Sequence, residues 1–124
     1  MKIRLSEGLP YVAVTLVYRN QILTLDNILL DTGSAGTIFS VDTCMTIGLH
    51  YAADDPVHRI GGVGGAEFVF TKQVEQISIG ELAVNNFIIE IGAMDYGIEI
   101  DGIVGMDFLT QVKATIDLSR FEIY

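Results

Sequence analysis

Alternating apolar and polar residues, cut at short intervals by turn formers, leave this chain few folds other than a β domain. Residues 11–18 set Val12, Val14 and Leu16 against Tyr11, Ala13 and Thr15, the period of a half-buried strand. Arg19-Asn20-Gln21 then turns the chain into a second strand at 22–25, which continues to the apolar Ile28-Leu29-Leu30. Pro56 and a glycine cluster at 61–65 bracket the start of a hairpin whose return strand is 66–72. Residues 74–79 and 84–91 flank Gly80-Glu81 as another hairpin, and 114–118 and 121–124 form a terminal one around Ser119-Arg120. Two short helices complete the pattern. One covers 41–47, with Ser40 as N-cap and Gly48 past its end, and the other covers 106–112. Ile, Val, Thr, Phe and Tyr supply 47 of the 124 residues, the composition such a fold needs.

At this length the expectation is one domain over residues 1–124, all-β and mostly antiparallel. The net charge of −9, with −7 of it in residues 63–124, argues against nucleic acid or an anionic membrane as partner. A single cysteine, Cys44, excludes an internal disulfide. No apolar run approaches the roughly 18 residues that span a bilayer. Glu7 and Pro10 spoil any signal peptide, so a soluble, cytoplasmic domain is expected.

Three segments carry chemistry. In Leu29-Leu30-Asp31-Thr32-Gly33-Ser34 an acid follows directly on a buried strand, which is costly unless something pairs with it. A strand-end turn would use the same residues. Ile60-Gly61-Gly62-Val63-Gly64-Gly65 makes a backbone that bends easily and can approach a ligand. It lacks the Gly-Lys-Ser/Thr of a phosphate loop and is followed by Glu67, so a hairpin tip is the better reading. Ile103-Val104-Gly105-Met106-Asp107-Phe108-Leu109 is an apolar strand ending in a turn and a helix.

In this order the three segments resemble the retropepsin family, the single-domain aspartic proteases of retroviral type. That family has an apolar strand ending in Asp-Thr-Gly-Ser/Ala, a Gly-rich flap, and an apolar-apolar-Gly segment entering a helix. The resemblance implies a closed, barrel-like acid protease fold, a homodimer, and hydrolysis of peptide bonds without a cofactor or metal. Aspartic proteolysis needs two carboxylates sharing one proton, and this chain has one Asp-Thr-Gly. A two-fold axis supplies the second. By resemblance, Asp31 activates water, Thr32 hydrogen-bonds across the dimer, Gly33 lets the substrate backbone approach, and Ser34 hydrogen-bonds Asp31. An extended peptide would lie on Leu29, Ile38, Ile60, Gly61, Gly62, Val63, Asp101 and Ile103. Retroviral members usually brace the site with an Arg after the last Gly and an acid beyond Asp-Thr-Gly. Here Met106 and Ala35 stand in those places, so the two partners are absent together and no charge is orphaned.

Three rivals compete. A retropepsin-like domain can keep its groove and act only as a peptide-binding or self-processing module. His50, Asp54, Asp55 and His58 are metal-ligand types, although a solvated loop interrupted by Pro56 explains them as well. Cys44 as a nucleophile is weaker, because it sits in an apolar helix pattern that reads as core, as do Met45 and Met94. The acidic residues Glu90, Asp95, Glu99 and Asp107 read as a solvated face, with Asp101 set apart as a pocket residue.

Overall fold

The computed structural model describes residues 1–62, 65–95 and 97–124. Among the described residues ten strands form in chain order: β1 (Arg4–Ser6), β2 (Leu9–Tyr18), β3 (Gln21–Leu30), β4 (Ile38–Ser40), β5 (Val57–Gly62), β6 (Gly65–Ile79), β7 (Leu82–Gly92), β8 (Gly102–Val104), β9 (Ile116–Asp117) and β10 (Glu122–Ile123). Two short helices, α1 (Val41–Cys44) and α2 (Met106–Gln111), interrupt them. The larger sheet runs β1-β2-β3-β8-β4-β7-β6-β5, and β2 pairs again with β6 through Thr15–Ser78, Leu16–Ile77 and Val17–Gln76. Most pairs are antiparallel; β3–β8 and β4–β7 are parallel.

The strand ends follow local chemistry. Arg19 and Asn20 both adopt positive φ, as do Glu7 and Gly8, which gives the two-residue turns whose twist matches that of the flanking strands. Between residues 25 and 28 the strand carries a bulge: Val12 pairs with Ile28 but Val14 with Leu25, so β3 is one strand with an extra residue. The bulge carbonyl of Asn27 accepts the amide of Asp101 at 2.9 Å, which guides β3 onto β8. The segments read separately as 66–72 and 74–79 are also one strand, β6, because Gln73 between them carries no turn signal and pairs with Ile88. Helix α1 tightens at Met45–Ile47 into a 3₁₀ turn that ends at Gly48 in the left-handed region.

Alternation along β2 sends Val12, Val14 and Leu16 into the main core with Ile28, Phe39, Ile77, Ile89, Ile91 and Phe108. Tyr11 points the other way yet is also buried, in a second cluster with Ile38, Val69, Met94 and Ile100. Both faces of this part of the sheet are therefore covered. Cys44 is fully buried, and burial pushes its thiol up to about 12, which suits a core residue and not a nucleophile. Met94 packs as expected, but Met45 is 58% exposed because the 3₁₀ turn rotates it outward. The terminal hairpin β9–β10 is joined by the amino-terminal segment: Ile3 N–H donates to Phe121 O at 2.8 Å, and Ile123 N–H to Met1 O at 2.9 Å.

The loop between α1 and β5 is pinned by Asp55. Its carboxylate lies 2.8 Å from Lys72 Nζ and accepts the Ala52 amide at 2.7 Å. The Lys72 hydrogen bond, then the amide, hold the Asp55 carboxyl below its ordinary 3.8. A carboxyl depressed by folding stabilises the fold above its unfolded pKa and loses that contribution as pH falls through the folded value. Asp55→Asn should thus lower the melting temperature at neutral pH, with the gap to wild type closing below pH 3.8. Thermal melts of both chains across that range check this; a gap that persists into strong acid would show that the loss has another origin.

Candidate active site

The site begins where β3 stops. Leu29 and Leu30 pair in parallel with Ile103 and Val104, and the Asp31 amide donates to Val104 O at 3.0 Å. This fixes the half-buried Asp31 at the end of a strand that cannot shift without breaking the sheet. The turn then folds back on the acid. Gly33 N–H donates to Asp31 Oδ1 at 2.8 Å, and Ser34 N–H to Asp31 O at 3.2 Å. Thr32 and Gly33 stay exposed beside it. The resemblance had Ser34 donating to Asp31. Instead its hydroxyl donates to Gly36 O at 2.8 Å, where the tight turn at 34–36 brings a carbonyl within reach, so Ser34 steadies the loop.

The loop is clamped to α2 by residues the sequence reading did not select. The first amides of α2, on Met106 and Asp107, donate to Ser34 O at 2.8 Å and Ala35 O at 3.1 Å. Thr37 is fully buried; its hydroxyl donates to Asp107 Oδ1 at 2.7 Å and accepts the Gly105 amide at 3.1 Å. Asp107 also takes the Thr37 amide at 3.2 Å and the Phe108 amide at 2.8 Å. Thr37 and Asp107 thus brace the site in a chain that has Ala35 and Met106 at the retroviral brace positions. Asp107 is not a solvated acid. An acid in the first turn of a helix that directly follows an apolar-apolar-Gly strand was the signal for it.

Four of the expected wall residues share one cluster. Leu29, Ile60 and Ile103 pack, partly buried, on the second cluster, and Ile38 belongs to it. Ile60 sits on the β5–β6 hairpin, where Gly61 and Gly62 pair with Ala66 and Gly65; Val63 lies outside the described residues. Asp101 is half-buried, and its carboxylate accepts the Thr43 hydroxyl at 3.2 Å, which turns it toward α1. Of the metal-type residues, His50, Asp54 and Asp55 lie in the loop between α1 and β5, while His58 is in β5 and pairs with Val69. Asp55 is engaged by Lys72, and His50 Nδ1 lies 2.7 Å from Gly48 O. No group of three or more His, Cys, Asp or Glu able to hold a metal occurs among the described residues.

The half-buried Asp31 thus stands at the end of a parallel strand pair, in a loop clamped by a Gly-led helix. The chain matches the aspartyl protease family model over residues 16–108, which takes in the Asp-Thr-Gly turn, the hairpin and the clamp. It belongs to that family of retropepsin-like proteins. Comparison with curated proteins finds no significant match.

Proposed function

We propose that two copies of this chain assemble about a two-fold axis into an aspartic endopeptidase. The observation that supports this reading is that Asp31 is tied to Val104 O at the end of β3, two residues after Leu29, which packs with Ile38, Ile60 and Ile103 in the second cluster. One Asp31, charged, takes a proton from a water as its oxygen attacks the scissile carbonyl carbon. The other, protonated, donates to the carbonyl oxygen. Collapse of the resulting diol returns one hydroxyl proton to the second carboxylate and breaks the C–N bond, and the proton held by the first carboxyl goes to the leaving amine. The peptide lies extended, held largely by main-chain bonds beneath the β5–β6 hairpin, with Gly61 and Gly62 above it and Asp101 at the rim.

Support for the second copy comes from the same loop. An apolar recess of about 380 Å³ opens beside Thr32, lined by Met106, Leu109, Ala114 and Ile116. A copy docked there would bring its own Thr32 against this one, the contact that would hold two Asp31 loops together. The return pairing of β6 onto β2 supports a closed, barrel-like body for each copy.

Assembly makes activity depend on concentration. Peptide hydrolysis per mole of chain should fall as the protein is diluted through the range where sedimentation shows dimers giving way to monomers. Constant specific activity where only monomer sediments would exclude a shared site.

A further inference from the structure

A row of paired residues crosses the sheet beside Asp31. Leu29 pairs with Ile103, Ile103 with Ile38, Ile38 with Glu90, and Glu90 with Thr71. Side chains at directly paired positions share a face of the sheet. The face is that of the second cluster, to which Leu29, Ile38 and Ile103 belong. Glu90 ends the apolar row, and it is half-buried where its neighbours Ile89 and Ile91 turn into the main core. Read from sequence as part of a solvated face, it is set into the wall of the groove.

A second observation places the carboxylate against the Asp31 loop. The Glu90 amide donates to Thr37 O at 2.9 Å, so the strand carrying it is stitched to the end of that loop. A Cβ built on Gly36 would collide with Glu90 Oε1. The absence of a side chain at Gly36 therefore leaves the space in which the Glu90 carboxylate lies against the Asp31 loop. Asp101, the other acid near the wall, is turned to Thr43 and is the poorer candidate.

We infer that Glu90 is a specificity-determining residue, and that the site selects peptides with Lys or Arg at a position adjacent to the scissile bond. This rests on the peptidase reading above. A Lys or Arg side chain fits the row by its two parts. Its methylene stem lies along Ile38, the residue of the row next to Glu90, and its cationic head meets the carboxylate one strand further on. Apolar side chains would reach the same wall without gaining the attraction of the charge, and acidic ones would meet a like charge. The preference comes from the charge of the carboxylate and does not need a vacant lone pair, since two oxygens offer about four acceptor sites.

The test uses short peptides with a hydroxyethylene unit in place of the scissile amide, carrying Lys, norleucine or Glu at each position in turn. Binding to the intact chain is read by fluorescence polarisation. At one position Lys should bind about tenfold more tightly than norleucine, and Glu more weakly than either. Glu90→Gln, which keeps the shape, should remove the Lys advantage while leaving the norleucine affinity in place. Glu90→Leu should reverse the order. An undiminished Lys advantage in Glu90→Gln, or no position at which wild type prefers Lys, would overturn the inference. No binding of any peptide to a chain shown folded by circular dichroism would overturn it together with the groove. A parallel digest with Asp31→Asn separates the two ideas: Lys-selective binding without Asp31-dependent cleavage keeps the role of Glu90 and removes only the peptidase reading.

Discussion

Asp31→Asn should lower kcat/KM for every cleaved peptide by a factor on the order of 10⁴ and leave the fold intact. The structural half follows from the turn. Gly33 N–H donates to Asp31 Oδ1, and an amide oxygen at the same place accepts that bond equally well. The Asp31 main-chain bond to Val104 does not involve the side chain at all. The catalytic half follows from proton bookkeeping, because an amide cannot take the proton of the attacking water. Melting temperature should therefore move little while cleavage disappears. Mixing sharpens the result. Equal amounts of wild type and Asp31→Asn, allowed to exchange subunits, should retain about a quarter of the wild-type activity, because only one pairing in four joins two intact carboxylates. Retention of one half would mean that each chain works alone and that the two-fold dyad is wrong.

How much of this could be read from the residues depends on whether a feature is local. The strands of residues 9–30 and 82–92 were legible because alternation and turn chemistry act within a few positions. The Asp-Thr-Gly turn and the apolar-apolar-Gly segment were legible as short motifs in order, and the structure puts them side by side through the β3–β8 pairing. The clamp was not. Thr37 and Asp107 are 70 positions apart, and nothing near either residue says that one is fully buried and waiting for the other. Glu90 was hidden for a related reason. In sequence it joins a run of acids, and only its register with Ile38 on a strand from another part of the chain moves it off the solvent face. Ser34 shows the reverse error. A role taken from a family pattern was assigned to a hydroxyl that this loop directs to Gly36 O.

The clamp also sets the largest stability effect expected of a single methyl group. Gly105 has φ −111° and ψ −169°, extended backbone that any residue can adopt, so Gly105→Ala costs nothing in backbone strain. Its cost is contact. A Cβ there would stand 2.6 Å from Ser34 O and 2.9 Å from Gly36 C, and closer still to Gly36 O. These are main-chain atoms of the loop that carries Asp31, and no rotamer change can move them aside. Relief requires the loop and α2 to separate, which stretches the bonds from Met106 N to Ser34 O and from Asp107 N to Ala35 O. Overpacking of this kind costs about 1–3 kcal/mol, and each weakened hydrogen bond about 1 kcal/mol more. A total of about 4 kcal/mol in a domain of this size corresponds to a melting temperature lower by about 15 °C. The same movement would draw Asp31 away from Val104 O, so cleavage below the melting transition should fall as well, unlike in a variant that is only less stable. Calorimetry and peptide hydrolysis on the purified variant measure both effects. A chain that carries Ala at 105 with wild-type melting and turnover would show that the loop and the helix do not meet at this glycine.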